Sequence, residues 1–336
     1  MASDPNPQPD PTVPPEPRPH LTLPAGKVLG VMAIALAVAT LLNSEAIIRA
    51  GEGMEQGPTR DVVLSVGRPI DDVTGAMGLH APRDGLDLAF GHEDKTAENT
   101  ELEEGSNAIL EPKREPRDEM FSQPSAGDPL RLLVTGDSEA EFIGQQLTDL
   151  EPTLFRVDVV ARNATGLTNP GFFNWEVNAE QEIEARRPDA VVMVIGANDG
   201  FQVIVDGERF GPLTPQWQLE YARRTAVVMK VLSGNGRRPV YWVPAPTARD
   251  EAYNEIYRNE NRAVQQAALA VPGARYVDVY NTISGGRYRD ELRIDGRRVL
   301  ARQPDGVHFT REGALVPTRL ILRAMAKDYP VLDAPR

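Results

Sequence analysis

The chain has 336 residues, enough for one large domain or two small ones, and its apolar (41%) and charged (25%) fractions are those of a globular protein. Its formal net charge of −13 argues against nucleic acid as a partner, because phosphate binding needs a basic surface. The sequence has no cysteine, which excludes disulfides and thiolate chemistry, and its four histidines are too few to favour a multi-histidine zinc site. We expect neither a metal nor a cofactor.

The first 45 residues fall into two segments. Residues 1–20 are dominated by proline, which predicts a disordered tail. An apolar run over 28–42, extended back across Lys27, just reaches the length of a spanning helix. We therefore predict a transmembrane anchor over 21–45. The alternative is a signal peptide cleaved near Ala46, although the proline-rich, acidic tail is unlike a basic leader.

Two segments follow before the main domain. Residues 46–91 have apolar residues at helical spacing interrupted by Pro69, which predicts broken helices in a membrane-proximal stalk or a helical brace on the main domain. Residues 92–128 are rich in acids and lose that spacing, which predicts a disordered acidic linker.

The remainder, 129–336, alternates strand and helix patterns. This order predicts a parallel sheet with helices on both faces, whose active site lies beyond the carboxyl ends of the strands. The predicted strands cover 130–135, 156–160, 190–195, 240–243 and 276–279, and the predicted helices cover 139–150, 176–186, 216–232, 251–270 and 310–327. Residues 281–303 carry a hairpin signal around Asp295-Gly296 and are expected to form one wall of the site.

Polar motifs follow the first three strands of this domain. Gly136-Asp137-Ser138 allows a tight turn that places a serine at a helix N-terminus. Gly166 follows the second strand, and Asn198 lies in Gly196-Ala197-Asn198-Asp199 after the third. Each motif alone also suits an ordinary turn or loop. Together they place hydrogen-bond donors on one edge of the sheet, as an oxyanion hole requires.

Asp305 and His308 supply the other two groups of a catalytic triad. They are three residues apart, so the carboxylate can hold the imidazole in the tautomer that deprotonates Ser138. His308 is also the only histidine between residues 129 and 336. Capping by Asp305 is the ordinary alternative, but the conjunction of motifs favours nucleophilic catalysis.

These four blocks resemble the SGNH (GDSL-type) hydrolases over about residues 129–330. The resemblance implies a flavodoxin-like α/β/α sandwich, with Ser138 as nucleophile, His308 as base and Asp305 orienting the histidine. It also implies an oxyanion hole made by the backbone N–H groups of Ser138 and Gly166 and the side chain of Asn198. Glu139 departs from the family pattern, which has an apolar residue after the serine.

Further substrate-binding candidates are the following rim residues: Asp137, Asp199, Trp175 and Arg249. For Trp175 and its neighbours Phe172 and Phe173, stacking on a sugar competes with packing in the core. For Arg249, a solvated loop is the default interpretation.

The arrangement of anchor, stalk, linker and domain is similar to bacterial membrane-anchored SGNH-like proteins. The expected function is an extracytoplasmic serine esterase that removes O-acetyl or similar groups from cell-envelope carbohydrate, held to the membrane by its N-terminal helix. The carbohydrate substrate is implied by family analogy alone. An O-acyltransferase using the same triad and a scaffold without turnover are the alternatives.

Overall fold

The computed structural model describes residues 25–42, 44–52, 54, 58–76 and 121–332. The predicted tail over 1–20, residues 77–91 of the predicted stalk and most of the acidic linker lie outside the described residues.

Three helices precede the main domain: α1 (Ala25–Leu42), α2 (Ser44–Glu52) and α3 (Pro58–Ala76). α2 and α3 pack together, with the Ser44 and Thr74 hydroxyl oxygens 2.9 Å apart. The predicted break at Pro69 is wrong, because this proline lies inside α3. Pro69 has no N–H to donate to the Ser65 carbonyl one turn earlier in the helix. Both residues are exposed, so water can satisfy that carbonyl.

Among the described residues, every helix is too short or too polar to cross a bilayer, so the predicted transmembrane helix over 21–45 is not confirmed. α3 instead reaches the main domain. The guanidinium carbon of Arg60 lies 4.2 Å from the ring centre of Phe201, a residue in the loop after the third sheet strand.

The main domain is built on five parallel strands: β1 (Leu130–Gly136), β2 (Phe155–Ala161), β3 (Ala190–Val194), β6 (Val240–Val243) and β7 (Ala274–Tyr276). Their order across the sheet is β2-β1-β3-β6-β7. The predicted parallel sheet is therefore confirmed, and its order is that of flavodoxin-like folds. All five residues of β3 are buried, as expected for a central strand covered on both faces.

Helices cover both faces of this sheet. On one face lie α5 (Trp175–Arg186), α6 (Pro215–Ser233) and α7 (Glu251–Ala270). On the other lie α4 (Ala140–Leu150) and α9 (Leu315–Met325). Because β1 and β3 alternate their side chains between the two apolar clusters, both layers are anchored to the same central strands.

Two small hairpins extend the domain at the rim. The first joins β4 (Val203–Val205) to β5 (Glu208–Phe210), and sequence patterns missed it because its strands are only three residues long. The second joins β8 (Glu291–Ile294) to β9 (Arg297–Leu300), where a hairpin was predicted.

The predicted strand over 276–279 and the predicted start of the last helix are displaced. β7 ends at Tyr276, and Asp278 begins α8 (Val279–Ser284) by accepting a hydrogen bond from Asn281 N–H. α9 begins at Leu315 rather than at residue 310.

Residues 121–128, which were assigned to the acidic linker, pack against the domain. The Phe121 ring lies 6.0 Å from the Tyr329 ring, and Ser125 and Asp128 exchange backbone hydrogen bonds. An apolar anchor and a local turn thus hold the end of a segment whose charge predicted disorder.

Candidate active site

The turn after β1 holds Ser138 at the N-terminal end of α4. Gly136 has a φ of +140°, and a Cβ atom there would lie 1.7 Å from the Val194 carbonyl oxygen, so only glycine fits. The chain then turns through Asp137 and Ser138 into α4. The close approach of β1 to β3 therefore fixes the position of the serine.

Ser138, His308 and Asp305 form a continuous hydrogen-bonded row. Ser138 Oγ lies 2.7 Å from His308 Nε2, and His308 Nδ1 lies 2.9 Å from Asp305 Oδ2. The other Asp305 oxygen accepts hydrogen bonds from the backbone N–H groups of Val307 and His308. A proton on Nδ1 is therefore held by the carboxylate, which leaves Nε2 free to accept the serine proton.

Hydrogen bonding keeps Asp305 ionised. Burial acts to raise its pKa, but the hydrogen bonds from Val307, His308 and the imidazole outweigh burial and hold the pKa below its usual range. A permanent negative charge thus lies next to the imidazole that would become protonated during a reaction.

Three donors at this rim have no hydrogen-bond acceptor within residues 121–332. Asn198 is 4% exposed, and its side-chain nitrogen has no hydrogen-bond acceptor among the described residues. No residue of 121–332 accepts a hydrogen bond from the backbone N–H of Ser138 or Gly166. Since β2, β1 and β3 are neighbours, the loops that carry these donors share one edge. Such unsatisfied donors are suited to stabilise an oxyanion.

Asp137 is a buried structural residue rather than a substrate-binding one. It is 1% exposed, and its carboxylate accepts hydrogen bonds from the backbone N–H groups of Glu139, Gly196 and Ala197. Burial raises its pKa to about 7. Asp137 therefore ties the turn of the serine to the turn of Asn198.

Asp199 has the same kind of role and is inaccessible to substrate. It accepts hydrogen bonds from Thr168 N–H, Thr168 Oγ1 and Tyr221 OH at 2.7–2.8 Å. A Cβ atom on Gly166 would lie 2.5 Å from Asp199 Oδ1, so glycine is required where the loop passes this carboxylate. Asp199 thus ties the Gly166 loop to the Asn198 turn.

The remaining two substrate-binding candidates also have structural contacts. Trp175 is 3% exposed and packs edge-on against Phe173, with the ring centres 5.0 Å apart. Trp175 is therefore part of the core and has no open face on which a sugar could stack. Arg249 donates to Asp290 at 2.6 Å and to the Pro304 carbonyl at 2.7 Å. It therefore holds the loop that leads to Asp305 rather than pointing freely into the site.

Glu139, the residue that departs from the family pattern, is buried behind the histidine. Its Oε2 accepts a hydrogen bond from Phe309 N–H at 3.3 Å, and its Oε1 has no hydrogen-bond partner in the described part of the chain. Burial raises its pKa, and the charges of His308 and Arg302 offset only part of that effect. Glu139 thus joins the serine turn to the histidine loop.

No sequence pattern pointed to Arg302, which together with Glu139 holds the histidine loop in place. Its buried guanidinium donates to the carbonyls of Val307 and Thr247 and lies 4.0 Å from the ring centre of Phe309. No motif signals such a residue, because arginine is ordinarily exposed. Its burial becomes visible only when the loops on both sides are in place.

A further buried acid, Glu260, lies beneath the Asn198 turn. It is fully buried, and neither carboxylate oxygen has a hydrogen-bond partner within residues 121–332. A Cβ atom on Gly196 would come within 3.2 Å of Glu260 Oε2. Burial, reinforced by the nearby Asp199 and Asp137, raises the pKa of Glu260 well above the ordinary value.

Replacing Glu260 by glutamine is expected to make the protein more stable above neutral pH. The folded protein holds the Glu260 proton more tightly than the unfolded chain does. Stability is therefore lost as pH rises from 4.5 toward the raised folded value, by at most about 1.4 kcal/mol per pH unit. Glutamine stays neutral and removes this slope.

Thermal unfolding midpoints between pH 5 and pH 9 measure the effect. Glu255→Gln is the matched control, because Glu255 is an exposed acid on the same helix. An unchanged pH dependence in Glu260→Gln would show that Glu260 is ionised in the folded protein.

The structure confirms the parallel α/β fold that the resemblance to SGNH-type hydrolases implied, and it places the residues of the four motifs at one edge of the sheet. Residues 131–324 match the family described as Protein of unknown function (DUF459), and the chain belongs to that family. No curated protein matches the chain.

Three solved structures are similar to the chain over about three fifths of its length. One is a putative SGNH hydrolase from Slackia heliotrinireducens, with 21% identity over 59% of this chain and 99% of that one and a TM-score of 0.41. The acetyl xylan esterase AlAXEase has 16% identity over 58% and 99%, with a TM-score of 0.40. The C-terminal catalytic domain of Streptococcus pneumoniae peptidoglycan O-acetyltransferase A has 15% identity over 60% and 94%, with a TM-score of 0.37.

Proposed function

We propose that this protein is a serine esterase that removes acyl groups, O-acetyl groups first among them, from cell-envelope carbohydrate. The observation that carries the proposal is the row of hydrogen bonds from Ser138 through His308 to Asp305. A serine becomes a nucleophile when a base 2.6–3.2 Å away accepts its proton and a third group orients that base. The carbohydrate substrate is taken from the motif resemblance to SGNH hydrolases.

The proposed reaction has two steps. Ser138 Oγ attacks the ester carbonyl carbon while His308 Nε2 takes the hydroxyl proton, and the carbonyl oxygen becomes an oxyanion. Collapse of this intermediate breaks the bond to the sugar oxygen, which leaves as an alcohol with the proton from His308. Water then attacks the acyl-enzyme and gives a proton to His308. The bond between the acyl carbon and Ser138 Oγ breaks, Oγ takes that proton back from His308, and the carboxylic acid leaves.

Hydrolysis of p-nitrophenyl acetate and release of acetate from acetylated polysaccharides test this proposal. If an added sugar hydroxyl takes the acetyl group faster than water does, the same triad acts in an O-acyltransferase. If neither acceptor receives an acetyl group, the chain is a scaffold and the proposal is wrong.

Replacing Asn198 by alanine is expected to lower kcat for p-nitrophenyl acetate about 10²- to 10³-fold, because removal of one oxyanion donor costs about 2.7–4 kcal/mol. The cost falls on the transition state, so KM should change little. Gln202→Ala, which removes an exposed amide in the same loop, is the control. A loss of less than threefold would exclude the Asn198 amide from the oxyanion hole.

An extracytoplasmic location, with the N-terminal region attached to a membrane, is a further part of the proposal. It is supported by the absence of cysteine and by the large apolar side chains that α1 exposes, including Leu29, Met32 and Ile34. Alkaline phosphatase fused after Arg336 should be active in a bacterial host and should sediment with membranes. An inactive fusion contradicts the location, and an active fusion in the soluble fraction contradicts the attachment.

A further inference from the structure

A large polar cavity lies beside the histidine loop, outside the triad. It has a volume of about 610 Å³ and lies between α7, α8 and the segment that follows α8. The arginines Arg258 and Arg262 line it from α7, and Arg287 lines it from the segment after α8. A cavity of this size is in the range of small-molecule binding sites.

The charge of this cavity is opposite to that of the chain. Three arginines and a single acid, Glu251, line the cavity, whereas the whole chain has a net charge of −13. Arg258 lies 3.4 Å from Glu251. The exposed guanidinium groups of Arg262 and Arg287 form no ion pair with any carboxylate of residues 121–332. Two positive charges are therefore available to an anionic ligand.

The lining beneath these arginines is held by hydrogen bonds. Asn261 Nδ2 donates to the Ala245 and Tyr257 carbonyls, and Asn261 Oδ1 accepts from Tyr276 OH at 2.9 Å. Tyr280 OH lies 3.1 Å from Asn254 Oδ1. The tyrosine rings thus have fixed positions, and a preformed lining lowers the entropy lost when a ligand binds.

Tyr288 connects this cavity to the loop of the triad. It lines the cavity, and its ring centre lies 5.3 Å from the Arg249 guanidinium carbon. Arg249 in turn donates its backbone N–H to the Gly306 carbonyl at 2.9 Å, next to Asp305. A polymer bound in the cavity would therefore lie close to the loop that carries Asp305 and His308.

We propose that this cavity binds an anionic segment of the carbohydrate chain, a sugar unit that carries a carboxylate or a phosphodiester. The inference rests on the proposed function in naming carbohydrate as the polymer. Guanidinium groups bind both anions through paired N–H donors, and the half-buried rings of Tyr276 and Tyr288 supply flat surfaces with a polar tip to contact sugars. The site would hold the polymer while a neighbouring ester lies at Ser138.

Calorimetric titration of the full chain carrying Ser138→Ala tests this site without turnover. The ligands are an oligogalacturonate, its fully methyl-esterified form and a glycerol phosphate oligomer. Binding of either anionic oligomer should weaken as salt rises, and the methyl ester should bind at least tenfold more weakly than the acid. The anionic oligomer that binds more tightly shows whether the site prefers a carboxylate or a phosphodiester.

The double change Arg262→Gln and Arg287→Gln, made in the same background, should weaken anion binding at least tenfold. Both side chains are exposed, and the thermal unfolding midpoint checks that the variant is folded. Arg156→Gln, an exposed arginine on β2, should bind as the parent does. Equal binding of the acid and its methyl ester, equal binding by the double variant, or no binding of either anion would overturn the inference. Ester hydrolysis by the unchanged chain would stand in each case.

Discussion

Replacing Ser138 by alanine is expected to lower kcat/KM for p-nitrophenyl acetate about 10⁴-fold or more, because the variant has no nucleophile to form an acyl-enzyme. The fold should persist, since the backbone of this turn is held by Gly136 and Asp137 rather than by the serine hydroxyl. Steady-state kinetics of the full chain measure the loss, and the thermal unfolding midpoint reports on folding.

Ser122→Ala is the matched control for this prediction. Ser122 is exposed and is outside the triad, so its variant should hydrolyse the ester at the rate of the unchanged chain. A Ser138→Ala protein that keeps more than a tenth of the activity would assign the chemistry to another group.

Replacing Asp305 by asparagine should lower kcat about 10⁴-fold without unfolding the loop, because an amide no longer holds the imidazole in the reactive tautomer. The asparagine oxygen can still accept the hydrogen bonds from Val307 and His308 N–H, so the turn is retained. The amide nitrogen, however, cannot accept the Nδ1 proton. The variant thus separates the orientation of His308 from the structure of its loop.

The pH profile adds a second measurement for Asp305→Asn. In the unchanged chain, the pKa of Asp305 lies below its usual range, so the carboxylate stays ionised at neutral pH. Loss of this negative charge should make protonation of the neighbouring imidazole less favourable and move the acidic limb of the kcat/KM profile to lower pH. Asp206→Asn, in the exposed turn between β4 and β5, should leave both rate and profile unchanged. If the Asp305→Asn variant keeps the original acidic limb, the Asp305 carboxylate does not influence His308 and is not part of the triad.

Residue patterns predicted the parts of this molecule that depend on local chemistry. The apolar runs of β1 and β3 predicted buried parallel strands, and the loops after them could then be placed on one edge. The pairing of Asp305 with His308 could be predicted because the two residues lie three positions apart in the chain. The geometry that joins them to Ser138 is described by the structure, and their catalytic roles stay predictions.

Patterns failed where burial contradicts residue type. Asp137, Asp199 and Glu260 have charged side chains, which are ordinarily exposed, yet the structure buries all three at or next to the Asn198 turn. Two of them were therefore taken for substrate-binding groups. Their burial depends on contacts between loops far apart in the chain, as when Thr168 and Tyr221 bond to Asp199.

Covalent labelling by a fluorophosphonate tests the central claim most directly, because the reagent reacts with a serine only when a base activates it. The proposed mechanism predicts one labelled peptide, with the added mass on Ser138, in the unchanged chain. It also predicts that neither Ser138→Ala nor His308→Ala is labelled. A folded, unchanged chain that remains unlabelled, or a label that persists on Ser138→Ala, would contradict it.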